Sequence, residues 1–191
     1  MNRRVRLPLR FDAAALAADV DALPADAWVP HFNTAYYEGE WSGVALRSAG
    51  GAPLALYPDP SAEPDDWGDT DVLRRSPALA QAVAAFRCGL QSVRLLRLGP
   101  GAAIREHRDY RLGYDDGEVR VHVPITTSPD VTFTHDGEPV DMAAGEAWYL
   151  DLNLPHSVAN RGSAPRTHLV IDCVLDGWLD AQLTAGAAAA P

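Results

Sequence analysis

Arg166-Thr167-His168-Leu169-Val170-Ile171-Asp172-Cys173 is the most informative stretch of the chain. In a β-strand successive side chains point to opposite faces. Arg166, His168, Val170 and Asp172 then share one face, and Thr167, Leu169, Ile171 and Cys173 the other. The second face is largely apolar and belongs against a core or a helix. The first is polar, and a sealed interior would not tolerate it. This predicts a strand whose inner face lines an open cavity for a charged ligand. An arginine fork there is well matched to a carboxylate.

The neighbouring segments carry the same pattern. In Val119 to Ile125, Arg120 and His122 share one face and Val121 and Val123 the other. In Ser92 to Leu98, Arg94 and Arg97 fall on opposite faces, so at most one of them points inward. From Gly89 onward, short apolar segments alternate with turn signals at Gly99-Pro100-Gly101, Asp115-Asp116-Gly117, Ser128-Pro129-Asp130, His135-Asp136-Gly137, Ala144-Gly145 and Asn160-Arg161-Gly162. That rhythm predicts an antiparallel sandwich or barrel. Upstream, Phe11 to Leu23 reads as a helix capped by Asp12 and stopped by Pro24. Trp28 to Tyr57 reads as extended segments, and Pro58 to Asp71 as a loop. Ser76-Pro77 opens a second helix reaching about Arg87. The expected architecture is mainly β with flanking N-terminal helices. Residues 1–184 are read as one domain with a β core at about 89–178, and residues 185–191 as a frayed Ala-rich tail.

Composition narrows the function. The chain has 191 residues and a formal net charge of −10, with no basic stripe, so a nucleic-acid backbone is not an expected partner. All 16 basic residues are arginine. Without lysine, Schiff-base catalysis, lysine-held pyridoxal phosphate and a Walker-A loop are excluded. Cys88 and Cys173 are far apart in sequence and fit neither a disulfide framework nor a CxxC metal site. They read as buried small hydrophobes in a reduced cytoplasm. Asp12 interrupts the stretch after Arg3-Arg4 before any apolar run, so no signal peptide is expected. No apolar run is long enough to span a membrane.

His107-Arg108-Asp109 is an H-x-D, whose first and third side chains share a strand face. His156 lies in the same β region. Two histidines and one carboxylate on one face leave three positions of a metal open, the arrangement that suits non-haem Fe(II) activating dioxygen. Taken alone, an H-x-D also fits a surface pair or a satisfied hydrogen bond. Other residues read as structural: Trp148 and Tyr149 as packing, His135 as a solvated turn residue, and His31 and Asn33 as parts of the N-terminal half. Asp151 is a candidate to orient the turn before His156, and His168 is left unassigned.

Taken in order, these pieces resemble the aspartyl/asparaginyl β-hydroxylase family of Fe(II)- and 2-oxoglutarate-dependent oxygenases, to which bacterial proline hydroxylases are similar. The matching run is Gly99-Pro100-Gly101 leading to His107-Arg108-Asp109, then Arg120-Val121-His122. Next come Gly145-Glu146-Ala147-Trp148-Tyr149-Leu150-Asp151 leading to His156, and then Arg166 with Asp172. The resemblance implies a double-stranded β-helix of jelly-roll, cupin-like form. It implies Fe(II) on His107, Asp109 and His156, and 2-oxoglutarate held by Arg166 and His122. It places Arg120 and Arg94 on a substrate carboxylate. The implied reaction hydroxylates an unactivated C–H of an amino acid or of an aspartyl/asparaginyl-type residue, with O2 consumed and succinate and CO2 formed. Animal members have Gly in place of the iron carboxylate, whereas Asp109 resembles the bacterial ones. The substrate is expected to be a free amino acid such as proline, a peptide residue or a carrier-bound amino acid. Two other readings share the barrel. One is a cupin-type metal-dependent isomerase or lyase, which needs no Arg166. The other is a non-catalytic small-molecule-binding barrel, whose triad would be broken.

Overall fold

A computed structural model describes residues 2–56 and 61–189. Asp12 caps the first helix by accepting from the N–H groups of Ala14 and Ala15, and Pro77 sits in the first turn of the third. The strands are β1 (Arg4–Arg10), β2 (Val29–Pro30), β3 (Tyr37–Glu38), β4 (Trp41–Ala49), β5 (Trp67–Asp69), β6 (Leu90–Leu98) and β7 (Ala103–His107). They continue as β8 (Glu118–Thr126), β9 (Val131–His135), β10 (Glu138–Pro139), β11 (Glu146–Leu150), β12 (His156–Asn160) and β13 (Arg166–Val174). The helices are α1 (Ala13–Asp21), α2 (Asp71–Arg74), α3 (Pro77–Ala84) and α4 (Gly177–Ala188).

The strands form two antiparallel sheets. The larger runs β1-β11-β8-β13-β6-β4-β2 with β5 added on β4, and the smaller runs β10-β9-β12-β7-β3. The periodicity of β13 survives in the fold. Leu169, Ile171 and Cys173 join Val93, Leu95, Val121 and Val123 under Leu16, Leu79, Leu179 and Leu183 of α1, α3 and α4. A second apolar cluster ties the sheets together, with Trp41, Leu98 and Leu150 from the larger meeting Ile104, Phe133 and Val158 from the smaller. The inward polar residues of β6, β8 and β13 face the space between the sheets. This is the double-stranded β-helix that the family resemblance implies, with the N-terminal helices read from the sequence; α4 adds a C-terminal helix to that expectation.

Several expectations change. Arg4–Arg10, not read as a strand, pairs with β11 and buries Val5 and Leu7; the ladder is interrupted between Arg6 and Arg10, around Pro8, which has no N–H to give. With β4 it brings the N-terminal half into the larger sheet, so the β core is not confined to 89–178. Within the expected loop 58–71, residues 58–60 lie outside the described residues, and the remainder holds β5 and the Thr70 cap of α2. Residues 185–188 are helical rather than frayed. Gly186 packs so closely on β1 that a Cβ there would lie 2.3 Å from the Arg6 carbonyl oxygen. His135 is fully buried, not solvated, and its Nε2 lies 2.7 Å from the Asp151 carbonyl oxygen. The two-residue turn it enters is of the I′ kind, with Asp136 at φ 51° and Gly137 at φ 77°. Cys88 and Cys173 are side by side, thiol against thiol. That contact, with burial adding to it, pushes the Cys173 thiol up. Both cysteines are free.

Candidate metal centre and its cavity

β7 and β12 pair so that His107 lies directly opposite His156. Opposed residues of an antiparallel pair point to the same face, and the two rings come within 4.2 Å of each other. Asp109 follows β7, where its N–H donates to the Leu152 carbonyl. One ligand atom from each of His107, Asp109 and His156 can be chosen so that all lie within 4.8 Å of one another. The Nδ1 of His107 is 2.8 Å from the Arg105 carbonyl oxygen and that of His156 is 3.1 Å from that of Leu154. A carbonyl only accepts, so each Nδ1 donates and Nε2 is the ring nitrogen left for a metal. Burial and the neighbouring His107 lower His156 to about 4, which keeps it neutral at pH 7.

Behind the cluster is an ion network centred on Asp172, whose side chain is 2% exposed. Arg120 grips it with two bonds, Nε to Oδ1 at 2.6 Å and NH2 to Oδ2 at 3.0 Å, while its NH1 donates to Asp109 Oδ2. Arg94 NH1 donates to Asp172 Oδ2 at 3.0 Å and to Ser92 Oγ at 2.5 Å. Burial works to raise Asp172, but the two arginines outweigh it and lower its carboxyl to about 2. Arg166 has no such partner. It is 3% exposed, its NH2 lies 2.8 Å from His168 Nδ1, and its Nε is buried with nothing to bond. Burial alone pulls it down to about 9. Both ring nitrogens of buried His122 are likewise unbonded, and burial, then Arg166 and Arg120, push it well below the usual histidine value.

A cavity of about 310 Å³ collects all seven expected site residues: His107, Asp109, His156, Arg166, His122, Arg120 and Arg94. One expectation changes in detail. Arg120, assigned to a substrate carboxylate, has its guanidinium committed to Asp109 and Asp172. Of the pair on opposite faces of β6, Arg94 is the inward one; Arg97 lies over the Trp28 ring at 3.8 Å. The N-terminal half contributes more than its sequence suggests. His31 stacks on Trp41 with ring centroids 3.5 Å apart, and Tyr36 stacks on His107 at 5.4 Å. Burial first, then Arg94 and His107, lower His31 to about 4. Phe133, also unforeseen, lies parallel to His156 at 6.3 Å. Alternation with Val131 and His135 along β9 is the signal that marks it as inward.

The fold and the cluster define a double-stranded β-helix protein with two histidines and one carboxylate placed as a candidate metal centre. More narrowly, the chain belongs to the aspartyl/asparaginyl β-hydroxylase family, whose sequence model matches residues 11–175. It is 31% identical to an L-proline cis-4-hydroxylase of Rhizobium meliloti (strain 1021), over 86% of this chain and 58% of that one. It is 30% identical to L-proline cis-3-hydroxylase 1 of a Streptomyces species, over 90% of this chain and 60% of that one. The chain thus spans about three-fifths of the length of these curated relatives. In fold it is similar to a Pseudomonas putida prolyl-4-hydroxylase, with a TM-score of 0.55, 17% identity, and coverage of 93% of this chain and 95% of that one.

Proposed function

We propose that this chain is an Fe(II)- and 2-oxoglutarate-dependent dioxygenase that hydroxylates an unactivated C–H of a small amino acid, with succinate and CO2 as coproducts. Two imidazoles and one carboxylate, each with a ligand atom within 4.8 Å of the others, fit Fe(II). His107, Asp109 and His156 would hold the metal. Iron with 2-oxoglutarate would supply the oxygen chemistry that an unactivated C–H requires.

The chain's own residues then have separate tasks. Arg166 would take the distal carboxylate of 2-oxoglutarate, and the neutral ring of His122 would donate to its other end. Arg120 holds Asp109 in position from behind. Arg94, on the same cavity wall, would take the substrate's carboxylate and so select which carbon faces the metal. The observation that carries the reading is Arg166: a buried guanidinium with no counter-charge, in the same cavity as the triad. A cupin-type isomerase or lyase leaves that charge unexplained. The amino-acid substrate is inferred from Arg94 and from the activity named for the proline hydroxylase relatives. A residue within a peptide or on a carrier has its α-carboxyl tied up as an amide or ester and offers Arg94 a carboxylate only from its side chain.

Anaerobic titration with Fe(II) and then 2-oxoglutarate tests this. A weak visible charge-transfer band is expected in the wild type and is expected to be lost in Arg166→Ala at matched concentrations. Iron binding without a band would shift the assignment to another kind of metal protein, and no metal binding would leave a small-molecule-binding barrel.

A further inference from the structure

A second cavity, of about 580 Å³, lies on the far side of Arg166 from the metal centre. Arg166 and Phe133 line both cavities. Phe133 is 5% exposed, and its ring lies 5.8 Å from the Arg166 guanidinium carbon. Behind this wall the floor is cationic and polar, with Arg166 beside His168. The walls add the hydroxyls of Thr127, Ser128 and Thr132 between apolar Val140 and Met142. Asp141, at the exposed rim, is the single acid lining this cavity among the described residues.

The front cavity differs at its mouth. Its mouth is rimmed by exposed Phe32 and Tyr110, and behind them Asp109 stands among Arg94 and Arg120. A dianion entering there would pass a carboxylate and an aromatic collar, and a bound substrate would close the path behind it. From the rear, it passes one rim carboxylate, Asp141, and then meets the guanidinium of Arg166, which has no counter-charge.

We propose that the rear cavity is a second entrance to the anion pocket, through which small dicarboxylates, 2-oxoglutarate inward and succinate outward, exchange past Phe133 and Arg166. The front mouth is then left to the hydroxylated substrate. This rests on the reading of Arg166 as the carboxylate anchor. Its consequence is kinetic. Cosubstrate exchange does not require the front mouth to empty.

The test places a bulky thiol label at either mouth of the Cys88→Ala, Cys173→Ala chain, using Thr127→Cys at the rear and Phe32→Cys at the front. The rates at which the 2-oxoglutarate band forms and is displaced are then followed anaerobically by stopped flow. A label at Thr127 is expected to slow both rates at least about tenfold while leaving Kd within about twofold, because a gate changes passage and not the bound state. A label at Phe32 is expected to change neither rate by more than about twofold. Unchanged rates with the Thr127 label, or equal slowing by both labels, would overturn the rear entrance. If the cysteine-free chain does not fold, Ala143→Trp, at the exposed rear rim of the native chain, gives the same comparison. No band in the unlabelled wild type would overturn the 2-oxoglutarate reading itself, and the entrance with it. A band with insensitive rear kinetics overturns the entrance alone.

Discussion

Arg120 separates two views of the site at the scale of one side chain. Held by Asp172 on two nitrogens and donating to Asp109 with the third, it orients the carboxylate proposed as a metal ligand. Removing an outer partner of a metal ligand costs about 10–100-fold in metal affinity. Arg120→Gln is therefore expected to weaken Fe(II) binding by that factor, read by anaerobic metal titration. A variant that binds Fe(II) normally and raises only the substrate KM would return Arg120 to the substrate. The sequence places Arg120, His122, Arg166 and Asp172 on inward faces because alternation alone does so. It does not reveal that Arg120 lies directly across from Asp172. That pairing depends on the register of β8 against β13, which no single strand encodes.

At the scale of elements, Gly145 shows how closely the strands are tied. Its φ of +80° puts it in the left-handed region, and a Cβ there would lie 2.3 Å from the Phe11 carbonyl oxygen. Its own N–H donates to Pro124 and its carbonyl accepts from Phe11, so one turn joins β8, β11 and the entry to α1. Gly145→Ala combines backbone strain with a clash and is expected to cost at least about 2 kcal/mol of stability, read as a lower urea midpoint. An unchanged midpoint would mean that the turn can relax. The Ala144-Gly145 turn is legible in the sequence. Its contact with Phe11 is not, because that approach joins segments far apart in the chain. The same reason hides β1. Its alternation of Val5, Leu7 and Leu9 with Arg4, Arg6 and Pro8 is that of a strand, yet only the free edge of β11 gives it a partner.

For the molecule as a whole, the buried histidines set the acid limit. Burial, the largest cause, holds His122 and His168 far below 6.5, with Arg166 adding to both. His135 is lowered in the same direction by burial. Groups kept neutral in the fold take up protons on unfolding once the pH is below 6.5. The unfolded chain then binds more protons, and stability falls as the pH falls. Each histidine that burial keeps neutral therefore subtracts stability as the pH drops through its unfolded value. With a chelator present, the urea midpoint is expected to drop clearly between pH 7 and pH 5. Below about 4, protonation of Asp172 toward its lowered value of about 2 removes a further stabilising charge. A flat profile between pH 7 and pH 5 would show that these histidines take up protons in the fold as readily as in the unfolded chain.

Most strands and turns from Gly89 onward, the inward faces of Arg120 and Arg166, and the H-x-D with His156 in the same β region are readable from local pattern. Alternation and turn chemistry act over a few residues, and each short segment carries them intact. Distance across the sheets is another matter. The commitment of Arg120 to Asp109, the burial of His135, the meeting of Cys88 and Cys173, the aromatic stack of His31 on Trp41 and the cavity behind Arg166 all arise from strand register and sheet packing. These are cooperative properties of the assembled barrel. Periodicity assigns a side chain to a face, but only the closed pair of sheets determines which group it meets there.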